Sequence, residues 1–200
     1  MFGRKMMVTL IAGAASIAVP AFSQSETPGK NEVSVQAIGS FVKSTTQDGV
    51  TNSASNSGGV LASYRYFFDG RSGIEVNYGY ALNTQNFFST GGATNVKSYS
   101  HEASAAYVFR IPLKRFTPFV EAGAAALVFD PKDLAGIDVQ ARPAFVYGGG
   151  ADFDFTRHVF LRAEYRGFVY NSPTYDLPGL AGTDRITHRA EPSIGFGYRF

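Results

Sequence analysis

The residues with the most chemistry to offer are three histidines and a series of arginines and carboxylates that recur at every second position. His101 is followed by Glu102 and Ser104, the side-chain types of a hydrolytic triad, and His188 precedes Arg189. A triad needs nucleophile, base and orienting acid to converge on one point. In an extended chain successive side chains point to opposite faces, so Glu102 and Ser104 face away from His101 and no triad forms within that strand. We expect no catalytic residue, with His101 and His188 as interfacial residues near an outer rim. The histidines are scattered and cysteine is absent, which argues against a metal site. Asp130, Asp133 and Asp138 are of the type that binds a divalent cation, but in a loop solvated charges are the more ordinary reading. Gly148-Gly149-Gly150 resembles a phosphate loop only in composition, since no helix follows; it marks a place where a strand bends or a bulky neighbour needs room. No cofactor is expected.

The remaining charges sit on alternating stretches. Residues 59–68 set Val60, Ala62, Tyr64 and Tyr66 against Leu61, Ser63 and Arg65, and residues 73–82 set Ile74, Val76, Tyr78 and Tyr80 against Glu75, Asn77 and Gly79. Each is a strand with one oily and one polar face. A turn centred on Gly70 places Arg65 opposite Glu75 and Ser63 opposite Asn77, which predicts an ion pair on the polar face. Comparable strands are expected at 32–42, 97–110, 116–129, 143–155 and 159–170. Between them, residues 43–57, 83–96, 130–142 and 171–187 read as long polar loops, whereas the turns near 69–71, 111–115 and 156–158 are short.

The eighth strand is residues 189–200, where Ala190, Pro192, Ile194, Phe196, Tyr198 and Phe200 alternate with Arg189, Glu191, Ser193, Gly195, Gly197 and Arg199. Terminal residues usually fray. A strand that keeps its alternation to an aromatic last residue is expected to be paired, with Val33 to Phe41 as its partner. Connections alternating long and short suit an up-and-down transmembrane barrel, with long loops outside and short turns in the periplasm. The fold expected is all-β, an eight-stranded antiparallel up-and-down transmembrane β-barrel.

Bulk composition agrees. At 44% hydrophobic and 17% charged, the chain is too apolar for disorder and too lightly charged for an ordinary soluble domain. Arg4 and Lys5, an apolar run from Met6 to Val19 and the Ala21-Phe22-Ser23 site read as a secretory signal, giving a signal peptide at 1–23 and a barrel domain at 24–200. Without the signal, 16 basic residues face 16 acidic ones, so the mature chain is neutral and nothing suggests nucleic acid.

A soluble barrel would turn its polar face outward. Here Lys43, Lys97, Lys114 and Lys132 lie in loops or at strand ends, and the mid-strand charges are interleaved with Gly, Ala and Ser, as a narrow barrel interior requires. The inward set is Arg65, Glu75, Glu102, Glu121, Asp152, Arg162, Glu164, Arg166, Arg189, Glu191 and Arg199. Buried charges must pair, so the expected interior is plugged by a salt-bridge network.

The runs Tyr64-Arg65-Tyr66-Phe67-Phe68, Gly73-Ile74-Glu75-Val76-Asn77-Tyr78-Gly79, Pro118-Phe119-Val120-Glu121-Ala122-Gly123 and the Gly195-Phe196-Gly197-Tyr198-Arg199-Phe200 ending resemble the small outer-membrane barrels of the OmpA/OmpX-like superfamily. The resemblance implies residence in the cell outer membrane after export, contact with outer-membrane lipid and lipopolysaccharide, and a terminal segment (Pro192, Ile194, Phe196, Tyr198, Phe200) read by the barrel-assembly machinery. A monomer with a structural or surface-interaction role through four extracellular loops, and a possible ligand there, is the leading expectation. An outer-membrane lipid-modifying enzyme or a narrow-channel transporter is the alternative. The lipid A deacylases, similar in length, use a His-x-Ser pair that neither His101 nor His188 supplies.

Overall fold

The computed structural model describes residues 29–43, 45–47, 50–54, 57–89, 92–131, 139–171 and 186–200. The expected signal peptide, Asp133 and Asp138 lie outside the described residues. Ten strands follow in order: β1 Asn31–Val42, β2 Thr45–Gln47, β3 Val50–Ala54, β4 Ser57–Phe67, β5 Ser72–Ser89, β6 Gly92–Arg110, β7 Phe116–Pro131, β8 Gln140–Asp154, β9 Val159–Asn171 and β10 Ile186–Arg199. The eight long ones pair antiparallel in the ring β1-β4-β5-β6-β7-β8-β9-β10 and back to β1, a closed all-β barrel. Closure gives each of the eight long strands a neighbour on both sides, as a strand in lipid requires.

The closing pair has the expected partners, Val33 opposite Tyr198, Val35 opposite Phe196 and Ala37 opposite Ile194. The ladder continues to the last residue, with Asn31 and Phe200 exchanging backbone hydrogen bonds of 3.2 and 2.9 Å. In the β4–β5 hairpin Arg65 stands opposite Glu75 and Ser63 opposite Asn77, the register that a turn centred on Gly70 dictates. Asp69 sets that turn, its Oδ1 accepting the N–H groups of Arg71 and Ser72 at 2.6 Å each. In the β8–β9 turn the Thr156 hydroxyl accepts the N–H of Val159 at 2.9 Å. The β6–β7 turn is closed by reciprocal Leu113 and Phe116 backbone bonds, and Lys114 there holds a left-handed φ of 29°.

Two expected loops are strands instead. β5 and β6 run on past the barrel body until Ser89 stands opposite Gly92, and β2–β3 forms a small hairpin whose second strand pairs with β5 from Thr51 opposite Phe88 to Ala54 opposite Gln85. Residues 45–47, 50–54, 83–89 and 92–96 carry no apolar–polar alternation, the signal by which the other strands are read. Their Thr, Val and Phe content still suits strands.

The pattern of exposure inverts that of a soluble protein. Val35 and Phe196 are 66% and 62% exposed, whereas Arg65, Arg162 and Glu75 are at most 1% exposed. Such an apolar exterior is tolerable in lipid and not in water.

Candidate functional site

Period two sends the charged set into a cavity bounded by eight strands, and the tilt of the strands sorts it into three levels. At the short-turn end, Glu32 of β1 gathers three guanidiniums from three other strands: Arg110 at 2.6 Å, Arg199 at 2.8 Å and Arg162 at 2.9 Å. Arg162 also binds Asp152 at 2.7 Å, and Arg199 reaches Asp154 at 3.3 Å. Three cations meet three anions here.

In the middle, Arg65 Nε lies 2.5 Å from Glu75, and its Nη2 lies 3.5 Å from Glu164 and 3.7 Å from Glu121. Gln36 donates to Glu164 at 3.2 Å and accepts from the Ser193 hydroxyl at 2.9 Å. The Ser34 and Ser63 hydroxyls meet at 2.5 Å. Carboxylate oxygens of Glu75, Glu121 and Glu164 lie within 4.8 Å of one another, a spacing that suits a cation, and Arg65 already supplies one positive charge among them. Both Glu121 oxygens are buried, and no N–H or hydroxyl group among the described residues donates to them. This level alone carries more anions than cations.

Toward the long-connection end, Arg166 and Arg189 close a four-membered ring with Glu102 and Glu191. Arg166 binds Glu102 at 2.7 Å and also Glu191, and Arg189 binds Glu191 at 2.9 Å and also Glu102. Every charged residue of the expected inward set is thus buried or partly buried inside the barrel, on one of these three levels.

Aromatic rings fill the space between the charges. The guanidinium of Arg110 lies 3.5 Å from the Phe67 ring centre, Arg65 3.9 Å from Phe119, and Arg189 4.4 Å from Phe168. Phe129, Leu127, Val146 and Tyr170 form an apolar cluster beside them. Gly148 and Gly150 make room: a β-carbon on Gly148 would stand 3.1 Å from Glu121 Oε1, and one on Gly150 2.9 Å from the Phe119 ring.

Sequence reasoning missed Glu32, Arg110 and Asp154 as members of the network. The signal was present, since Glu32 continues the Ser34, Gln36 set and Arg110 continues Ala106, Val108 at the same period. The terminal-segment residues Pro192, Ile194, Phe196 and Tyr198 all face outward, and Tyr198 stacks between His158 and Phe200.

Both strand histidines lie on the outward side, each bound to a tyrosine hydroxyl: His101 Nδ1 to Tyr78 at 2.8 Å and His188 Nε2 to Tyr147 at 2.9 Å. Tyr147 reaches two strands across, over Gly167, where a β-carbon would come within 2.6 Å of its ring. These pairs suit amphipathic anchors at a membrane interface.

A closed antiparallel barrel that is apolar outside and charged within is a transmembrane β-barrel. The outer membrane protein beta-barrel domain family matches residues 9–200. The chain belongs to that family and is a protein of the Gram-negative outer membrane. No curated protein matches it. Among solved structures it is similar to OprG of Pseudomonas aeruginosa, with TM-score 0.64 and 14% identity over 86% of this chain and 96% of that one. Neisserial surface protein A gives TM-score 0.64 and 14% identity over 86% and 97%. Ail of Yersinia pestis gives TM-score 0.54 and 20% identity over 86% and 99%. At these identities the likeness is one of fold.

Proposed function

We propose that this protein is a non-conducting outer-membrane barrel whose interior is plugged and whose extracellular connections do the work, contacting a matrix, a host or a neighbouring cell. The observation that carries this reading is the cross-section: ion pairs and rings drawn from all eight long strands occupy the interior, and an eight-stranded barrel is only just wide enough for its own side chains. A chain that commits its interior to packing leaves its outside loops for recognition. The β5–β6 hairpin and the β2–β3 hairpin laid beside it give that end a stiffened platform. On this reading the protein is a monomer surrounded by outer-membrane lipid and lipopolysaccharide, inserted by the barrel-assembly machinery through β10, and it is not an enzyme. The tyrosine partners of His101 and His188 support an anchoring role for both.

The test is a set of surface variants in which residues 84–96, 44–56, 132–138 and 172–185 are replaced in turn by short turns. Cells carrying each variant are assayed for adherence and for binding of sulfated saccharides; sucrose octasulfate, the heparin analogue bound in the Ail crystals, is the first probe. Loss of binding from one or two variants whose barrels still fold is the expected result. Unchanged binding and adherence across the whole series contradicts the proposal.

A further inference from the structure

Residues 24–200 carry 16 basic and 16 acidic side chains, but the charge is not evenly placed. Lys30 leads into β1, Arg71 lies in the β4–β5 turn, Lys114 and Arg115 in the β6–β7 turn and Arg157 in the β8–β9 turn, so every short connection at this end carries at least one cation. All five are exposed, and among the described residues none has a carboxylate within ion-pair distance. The nearby acids are spent: Asp69 accepts two N–H groups of its own turn, and Asp154 is bound to Arg199. The opposite end lacks this excess, since residues 43–56, 132–139 and 172–185 contain three basic residues against five acidic.

Position matters as much as sign. Each turn cation lies within three residues of an exposed apolar side chain: Phe68 before Arg71, Leu113 and Phe116 around Lys114 and Arg115, and Phe155 before Arg157, all 49–55% exposed. These side chains continue the outward apolar faces of their strands, which places the cations at the membrane boundary and not out in solvent. Lys114 is held at a left-handed φ where Gly or Asn would cost less.

We propose that the short-turn rim is a binding collar for anionic phospholipid head groups of the periplasmic leaflet, formed by Lys30, Arg71, Lys114, Arg115 and Arg157. The collar fixes the depth of the barrel and enriches anionic lipid around it. A cation near an anionic lipid surface favours association by roughly fivefold before screening by salt.

The chain has no tryptophan, so a single introduced one is a clean probe. Phe116→Trp reports on the rim and Leu82→Trp on the opposite half. Each full-length protein is reconstituted in phosphatidylcholine vesicles containing brominated phosphatidylglycerol or brominated phosphatidylcholine, after its heat-modifiable gel shift shows that it is folded. At the rim, phosphatidylglycerol is expected to be preferred by about threefold or more at low salt, falling toward onefold in 1 M salt and in the Lys30→Gln, Arg71→Gln, Lys114→Gln, Arg115→Gln, Arg157→Gln variant. Should that variant not fold, Lys114→Gln with Arg115→Gln is expected to lose about half the preference. At Leu82→Trp the two lipids should quench alike. Equal quenching at the rim, or a preference that survives neutralisation, overturns the proposal. So does binding of soluble polyglutamate without any lipid preference, which would assign the rim to an acidic soluble partner.

Discussion

Arg162 bridges two levels of the interior, touching Asp152 and Glu32 at 2.7 and 2.9 Å, with Glu75 at 3.9 Å. Arg162→Leu removes the shared partner of buried anions and is expected to cost about 3–5 kcal/mol, read as a lower urea midpoint for barrel unfolding in lipid vesicles. The middle level predicts the opposite sign. Glu121 shares one guanidinium with Glu75 and Glu164 and stands against the Glu75 carboxyl, so Glu121→Gln, which removes one of three crowded acids, is expected to stabilise the barrel by about 1–3 kcal/mol in the same assay. A loss of that size would show Glu121 to be better partnered than its contacts indicate. Asp69 supplies the pH-dependent case. Hydrogen bonds from the Ser72 and Arg71 N–H groups hold its carboxyl below the usual carboxylate range. A group whose folded value is depressed stabilises above its unfolded value, near 3.9, and that contribution disappears as pH falls through the folded value. A carbon-detected NMR titration should therefore place the Asp69 midpoint below about 3.9, and the β4–β5 turn should loosen only under more acid conditions. Asp69→Asn should remove the dependence.

At the scale of elements, the face of each strand was legible and the partner of each charge was not. Period two decides inward or outward by residue, which is why Arg65, Glu102 and Arg166 could be placed inside from their neighbours alone. Glu32 meets Arg110, Arg162 and Arg199, which are 78, 130 and 167 positions away. Those meetings depend on the stagger between strands, a property of the closed barrel that no single strand records. Arg65 with Glu75 was the exception, because one tight turn joins their strands and fixes the register. Residues 45–47, 50–54, 83–89 and 92–96 were read as loops because they carry no apolar–polar alternation, the signal that marked the other strands. Register is the property to perturb at this scale. Deleting Ser193 exchanges the inward and outward faces on one side of it, turning Ile194, Phe196 and Tyr198 against the arginines or Glu191 and Arg189 into lipid. The expected outcome is loss of the folded, heat-modifiable band. Wild-type levels of that band would mean that β10 tolerates a slipped register.

For the molecule as a whole, lipid outside and charge inside are two sides of one solution. The bilayer takes up the exposed Val35, Ile194 and Phe196, and the barrel encloses side chains that no bilayer would accept. Paired carboxylates and guanidiniums, with Phe67, Phe119, Phe160 and Phe168 among them, line the interior, and on the proposed function they block the path through which a porin would conduct. On the two proposals, the basic rim at one end sets where the barrel sits and the hairpins at the other are the end it presents. A plugged interior carries no current. Purified protein in a planar bilayer at neutral pH should give no steady single-channel current above the bare membrane, and steady, large, uniform conductance steps from the unaltered chain would contradict it.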